Sequence, residues 1–196
     1  MRFPISEKEL TQNYKSVTSE IDKLSRERYK KIWSSWPEFV SRAGTWECLR
    51  DLHVALFGGL FEFAGEVRKV NISKGGFRFA NYIFLQSNIP IVISMSQKDF
   101  DSILAKYIEM NILHPFREGN GRAIRLWLDS MLERELNTRI NWRKISREDY
   151  LSAMERSPVN ALELTKLLKD SLLSPELLKN EKIFVEDLSA SYDYEM

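Results

Sequence analysis

Asn111–Asp129 reads NILHPFREGNGRAIRLWLD, and its reading sets the frame for the rest of the chain. Upstream, Phe100, Ile103, Leu104, Tyr107 and Ile108 recur at three- and four-residue spacing between Ser96 and Leu113, the mark of a helix with one buried stripe. Downstream of the glycines, Ile124, Trp127, Leu128, Met131 and Leu132 fall on one face of a second helix. Two amphipathic helices joined through HPFREGN make a tight helical hairpin, with its loop at the mouth of a bundle.

Working outward, TWECLRDLHVALFGGLFEFAG is apolar enough for a central helix interrupted near Gly58 and Gly59. Ser146 to Met154 and Ser157 to Leu168 read as helices opened by a serine N-cap, the second with Pro158 in its first turn. Ser174 and Pro175 repeat that start signal before ELLKN. The last segment, KIFVEDLSASYDYEM, spaces Phe184, Leu188 and Tyr192 four apart, which predicts a C-terminal helix with one apolar face. One stretch departs from helix: in VNISKGGFRFANYIF, Val70, Ile72, Phe77 and Phe79 alternate with polar residues around Lys74-Gly75-Gly76, a hairpin signal. An isolated hairpin is marginal in water, so this one must lean on the helices or on a ligand. The expected class is all-α, a compact helical bundle with a short β-hairpin. Residues 1–196 are read as one domain, with N-terminal helices over 6–44, a core over about 45–170 and a C-terminal helix over about 183–196.

Composition narrows the function classes. With 43% hydrophobic and 29% charged residues the chain is an ordinary globular one, not a disordered tract. A net charge of +1, with Lys and Arg scattered, gives no electrostatic footprint for direct nucleic-acid binding or for a membrane surface. Cys48 is the one cysteine, which excludes an internal disulfide framework and a cysteine-based zinc site and suits a reducing compartment. No apolar run is long enough to span a bilayer and the first residues lack a signal-peptide core, so the expected location is cytoplasmic.

The loop itself carries chemistry. Gly119, Asn120 and Gly121 tolerate the positive φ values that turn successive N–H groups into one concavity, and the helix that starts there adds its own N–H groups and the positive end of its dipole. Arg122 and Arg125 lie three apart on the same side of the first turn. Glu118 stands immediately before this nest, where a hard cation bridging phosphates would sit. A neutral His114 imidazole could take a proton from an incoming hydroxyl. Any one of these features alone is more often a cap, a turn or a solvated face; their conjunction in twelve residues is a kit for transfer from a nucleoside triphosphate to a hydroxyl. His53, within an apolar helix, reads as a core histidine, and Trp33, Trp36 and Trp46 as packing residues of the N-terminal helices.

HPFREGNGRAIR resembles, at every defined position, the motif of the Fic family: His, any residue, Phe, any residue, Asp or Glu, Gly-Asn-Gly-Arg, two free positions and Arg. LFGGLFEFAGEVRKVNISKGGFRFAN resembles the segment carrying the family's flap, and AMERSPVN its downstream helices, so the likeness spans about Leu52 to Leu168. The resemblance implies the Fic fold and a protein adenylyltransferase that uses ATP with Mg²⁺. His114 would be the general base toward a Ser, Thr or Tyr hydroxyl, Phe116 an anchor of the loop, and Glu118 the metal carboxylate. Gly119, Asn120 and Gly121 would cradle the α- and β-phosphates with Arg122 assisting, Arg125 would meet the γ-phosphate, and Lys74, Gly75, Gly76 and Phe77 would form the flap turn that aligns a target protein by strand addition. Asn111, one turn before His114, is expected to face the same pocket. Relatives of the Doc type, which phosphorylate, carry Ala or Lys where Gly119 and Gly121 stand, so phosphorylation is the weaker alternative; AMP removal and a non-catalytic nucleotide-binding module are the others. Similar bacterial proteins act on type II DNA topoisomerases, which makes a topoisomerase subunit one partner expectation, beside self-modification and homo-oligomers.

Many Fic proteins also carry an inhibitory helix with Ser or Thr, three free residues, Glu, then Gly or Asn. Here SYDYEM supplies Ser191 and Glu195 at that spacing, with Met196 departing from the last position. A Glu195 carboxylate against Arg125 would occupy the place of a phosphate. Tyr192 is the candidate for self-modification in the same tail.

Overall fold

The computed structural model describes residues 3–74 and 77–191, with Ser16 described by its backbone alone. The helices are α1 (Glu7–Gln12), α2 (Tyr14–Arg26), α3 (Tyr29–Ser34), α4 (Trp36–Ser41), α5 (Trp46–Phe57), α6 (Leu85–Ser94), α7 (Phe100–Leu113), α8 (Asn120–Leu136), α9 (Arg147–Arg156), α10 (Leu162–Lys169) and α11 (Glu181–Ala190). A two-stranded antiparallel hairpin, β1 (Ser73–Lys74) and β2 (Phe77–Arg78), lies between α5 and α6, with Ser73 opposite Arg78 and Lys74 opposite Phe77.

The axis of the bundle is α8, flanked by α5, α7 and α4. It was expected to bury one face; it is buried all round from Arg122 to Leu132. Its polar side chains are covered because other elements supply partners. Asp129 accepts from the Ile140 N–H at 3.0 Å and from Trp142 Nε1–H at 2.9 Å, while Arg125 is closed off by α11 and lies over the rings of Trp142 and Tyr150. Buried side chains from Ile5 to Leu188 form one continuous apolar core.

Local chemistry decides the ends of the helices. Asp99 caps α7 in a reciprocal pairing with Ser102, so that helix starts at Phe100 and not at Ser96. Ser146 caps α9 as its sequence predicts, and α5 stops at Phe57, before Gly58. The expected helix from Ser157 begins only at Leu162. The Ser157 hydroxyl turns back to the Met154 carbonyl, Pro158 lies in the turn, and Asn160 Oδ1 accepts from the Leu162 N–H instead. At the other end of the chain α11 seats Phe184 between Trp33 and Trp36, with ring centroids 5.0 and 4.9 Å away.

The hairpin does lean on the helices. Its strands are two residues each, too short to stand alone, and the Ala80 N–H donates to the Ile112 carbonyl of α7 at 3.0 Å. Gly75, Gly76, Tyr192 and Glu195 lie outside the described residues.

Candidate active site

The loop between α7 and α8 is held open from several sides. His114, the C-cap of α7, adopts a left-handed conformation with φ 48°, unusual for a residue other than glycine. It is kept there by Arg68, whose guanidinium donates to four carbonyls: His114 at 2.7 Å, Leu113 at 3.0 Å, Val70 at 2.6 Å and Ala80 at 2.6 Å. One buried cation thus ties both sides of the flap to the end of α7, where the helix dipole leaves its carbonyls negative. Burial lowers the Arg68 pKa to about 10, which leaves it charged at neutral pH. Nothing in EVRKV separates Arg68 from the surface cations beside it, and sequence reasoning missed it.

His114 is further fixed by its ring. Its Nδ1 lies 3.2 Å from the Asn111 carbonyl oxygen, which can only accept, so Nδ1 carries the proton and the basic lone pair is on Nε2. Phe79 stacks on the imidazole, with centroids 3.7 Å apart and planes 17° apart. Asn111 itself does not face the pocket as expected. Its side chain is buried and donates to the Tyr107 carbonyl, so its backbone, and not its amide, serves the site.

Between the two helices Phe116 is fully buried, stacked on His53 at 3.9 Å and on Trp46 at 5.7 Å. His53 has a defined tautomer as well: Nδ1 accepts from the Gly65 N–H at 3.0 Å, so Nε2–H donates to the Glu118 carbonyl at 2.9 Å. That is the core, hydrogen-bonding histidine its sequence setting predicts. The Asn120 side chain brackets Phe116, accepting from the N–H at 2.7 Å and donating to the carbonyl at 2.8 Å. Its amide closes the loop, and what it can offer an anion is backbone. Gly119 has φ 78°, and a Cβ there would stand 2.4 Å from the Phe57 ring.

Beside this loop opens a cavity of about 580 Å³, lined among others by His114, Glu118, Asn120, Gly121, Lys74 and Phe79. Phe77 is not at its wall; it meets Phe79 edge-on at 5.2 Å. Thr11 and Tyr14 from the N-terminal helices complete the opposite side, and Tyr14 Oη–H donates to Glu118 Oε2 at 2.9 Å. The two arginines of the motif are not at the cavity wall either. Arg122 is buried, ion-paired with Asp22 at 2.7 Å and 3.7 Å from Glu118. Arg125 is 1% exposed and donates to the Ser191 carbonyl, at the end of α11, at 2.7 Å.

Among the described residues no cluster of three or more His, Cys, Asp or Glu could hold a metal ion alone. Glu118, one carboxylate beside a run of N–H groups at a helix start, is a donor set that suits a Mg²⁺ ion sharing phosphate oxygens with a nucleotide. No described helix is long and apolar enough to cross a membrane.

Residues 45–132 match the model of the Fic/DOC family. Over 118 residues the chain is 33% identical to "Protein adenylyltransferase VbhT" of Bartonella schoenbuchensis, covering 54% of this chain and 24% of that protein. Over 137 residues it is 25% identical to "Probable protein adenylyltransferase Fic" of Escherichia coli, covering 64% of this chain and 68% of that one. The chain therefore spans about a quarter of the first relative and about two thirds of the second. Among solved structures, BepC of Bartonella tribocorum with bound AMPPNP superposes with a TM-score of 0.65 at 16% identity, over 81% of this chain and 87% of that one. The N-terminal Fic domain of a Bep effector from Bartonella sp. AR 15-3 superposes with a TM-score of 0.68 at 17% identity, over 85% and 86%. The fold is shared with these Fic domains.

Proposed function

We propose that this chain, in which residues 45–132 carry the Fic/DOC family domain, transfers AMP from ATP to a hydroxyl of a target protein. The observation that carries the reading is the meeting, on one cavity, of a histidine protonated at Nδ1, a carboxylate and the N-terminus of α8. The substrate hydroxyl gives its proton to His114 Nε2 as its oxygen bonds to the α-phosphorus; the bond to the β-phosphate oxygen breaks and pyrophosphate leaves. The N–H groups at the start of α8 receive the phosphate charge, which needs no reorganisation at the moment of reaction. Glu118 would hold Mg²⁺, which would supply neutralisation of charge on the phosphate oxygens. Lys74 and its neighbours on the flap line the cavity where a target segment would add as a strand, and the target's identity stays open to a topoisomerase subunit or a second copy of this chain.

The same reading includes self-restraint. Arg125 is buried with its Nη2 held by the Ser191 carbonyl, so a γ-phosphate reaching it would have to displace the end of α11, and docking of α11 and productive nucleotide binding would compete for one cation. Glu195, four residues on, would strengthen that competition, and Tyr192 would be the residue whose modification relieves it.

The test uses the full chain with ATP labelled at the α- or the γ-phosphate. Incorporation of the α-label alone, lost in His114→Ala and raised severalfold in Glu195→Gly, is the expected outcome. Incorporation of the γ-label would make the protein a phosphotransferase, and equal labelling of wild type and Glu195→Gly at matched concentration would remove the tail restraint.

A further inference from the structure

We propose that Tyr14, outside the family match, is a positioning residue that sets the Glu118 carboxylate for the metal ion. This rests on the reading that Glu118 holds Mg²⁺.

Glu118 is held at both oxygens: the Gly119 N–H donates to Oε1 at 3.0 Å and Tyr14 Oη–H donates to Oε2 at 2.9 Å. An ionised carboxylate has about four lone-pair directions, so a donor on each oxygen fixes its rotation. The competing partner is Arg122, whose Nη2 stands 3.7 Å from Oε1, an ion pair too long for a hydrogen bond. Its charge is turned toward Asp22 at 2.7 Å. A carboxylate released from the Tyr14 hydroxyl can rotate onto that guanidinium, and a carboxylate closed on arginine is a poorer metal ligand. Tyr14 is well chosen for the opposite task, because a neutral hydroxyl orients the carboxylate without repelling a cation or cancelling its charge. Donors behind ligating carboxylates are a general means of tuning metal affinity.

The placement of Tyr14 is not incidental to the fold. It opens α2, and the same N-terminal helices reach the loop twice more, through Thr11, which accepts from Arg117 at 3.4 Å, and through Asp22 on Arg122. Tyr14 is 42% exposed, so little of the core depends on it, and its hydroxyl meets Glu118.

The experiment is calorimetric titration of the full chain with ATP across a Mg²⁺ series, in a His114→Ala background that prevents turnover. In Tyr14→Phe the Mg²⁺ concentration that half-maximally tightens ATP binding should rise about 10-fold, with metal-free ATP affinity and Tm unchanged; Tyr14→His, which restores a donor, should recover part of it. An unchanged or lower Mg²⁺ requirement in Tyr14→Phe overturns the proposal. Glu118→Ala separates the two levels. If it keeps the parent Mg²⁺ dependence, the metal reading itself fails; if it loses that dependence while Tyr14→Phe keeps it, only the role of Tyr14 fails.

Discussion

His114 and Gly119 are the two residues where the backbone of the loop turns left-handed, five positions apart. Each is kept there by a contact the motif does not contain: Arg68 on the His114 carbonyl, and the Phe57 ring filling the space a Cβ of residue 119 would need. Gly119→Ala therefore meets both a backbone penalty and a clash with a fully buried ring. It should cost roughly 2 kcal/mol or more of stability, read as a lower midpoint in chemical denaturation. His53, by contrast, contributes through two ring nitrogens with settled roles, which makes it a strut of the loop and no part of the chemistry.

Among the elements, the flap and α7 act as one unit because a single guanidinium serves both. Arg68 satisfies carbonyls at residues 70, 80, 113 and 114, and removing it leaves several buried acceptors without a donor. Arg68→Met should lower stability by about 3 kcal/mol, roughly 6 to 12 °C in Tm for a chain of this size. It should also raise protease sensitivity at the flap before global unfolding, since a two-stranded hairpin has little stability of its own. α11 is the complementary element. Its C-cap Ser191 accepts from Arg125 of α8, and the helix packs through Phe184 and Leu188.

Across the whole molecule, α11 also brings a buried carboxyl toward α8. Asp187 is 3% exposed; burial raises its pKa to about 6, against the pull of Arg143 and Arg139. Its folded-state pKa stands above its ordinary value of 3.8. The folded chain therefore holds the extra proton between about pH 4 and pH 6, and this group's contribution to stability falls as pH rises through that window. Relative to Asp187→Asn, wild type should gain about 1 kcal/mol between pH 8 and pH 5, seen as converging Tm values at the acid end.

The sequence by itself determined the helical class, the hairpin, the capped start of α9 and the tight connection between α7 and α8, because all of these are written in local periodicity, capping and turn residues. Even the helical C-terminal segment is legible there, as is the structural role of His53. Only the tertiary structure decided that Arg68, Phe79, Tyr14 and Asp22 belong to the site, that the Asn111 and Asn120 amides face inward, and that both motif arginines are already engaged. Those facts depend on contacts between residues up to about a hundred positions apart. A lone arginine or tyrosine in a helix carries no local mark of the partner that folding brings to it.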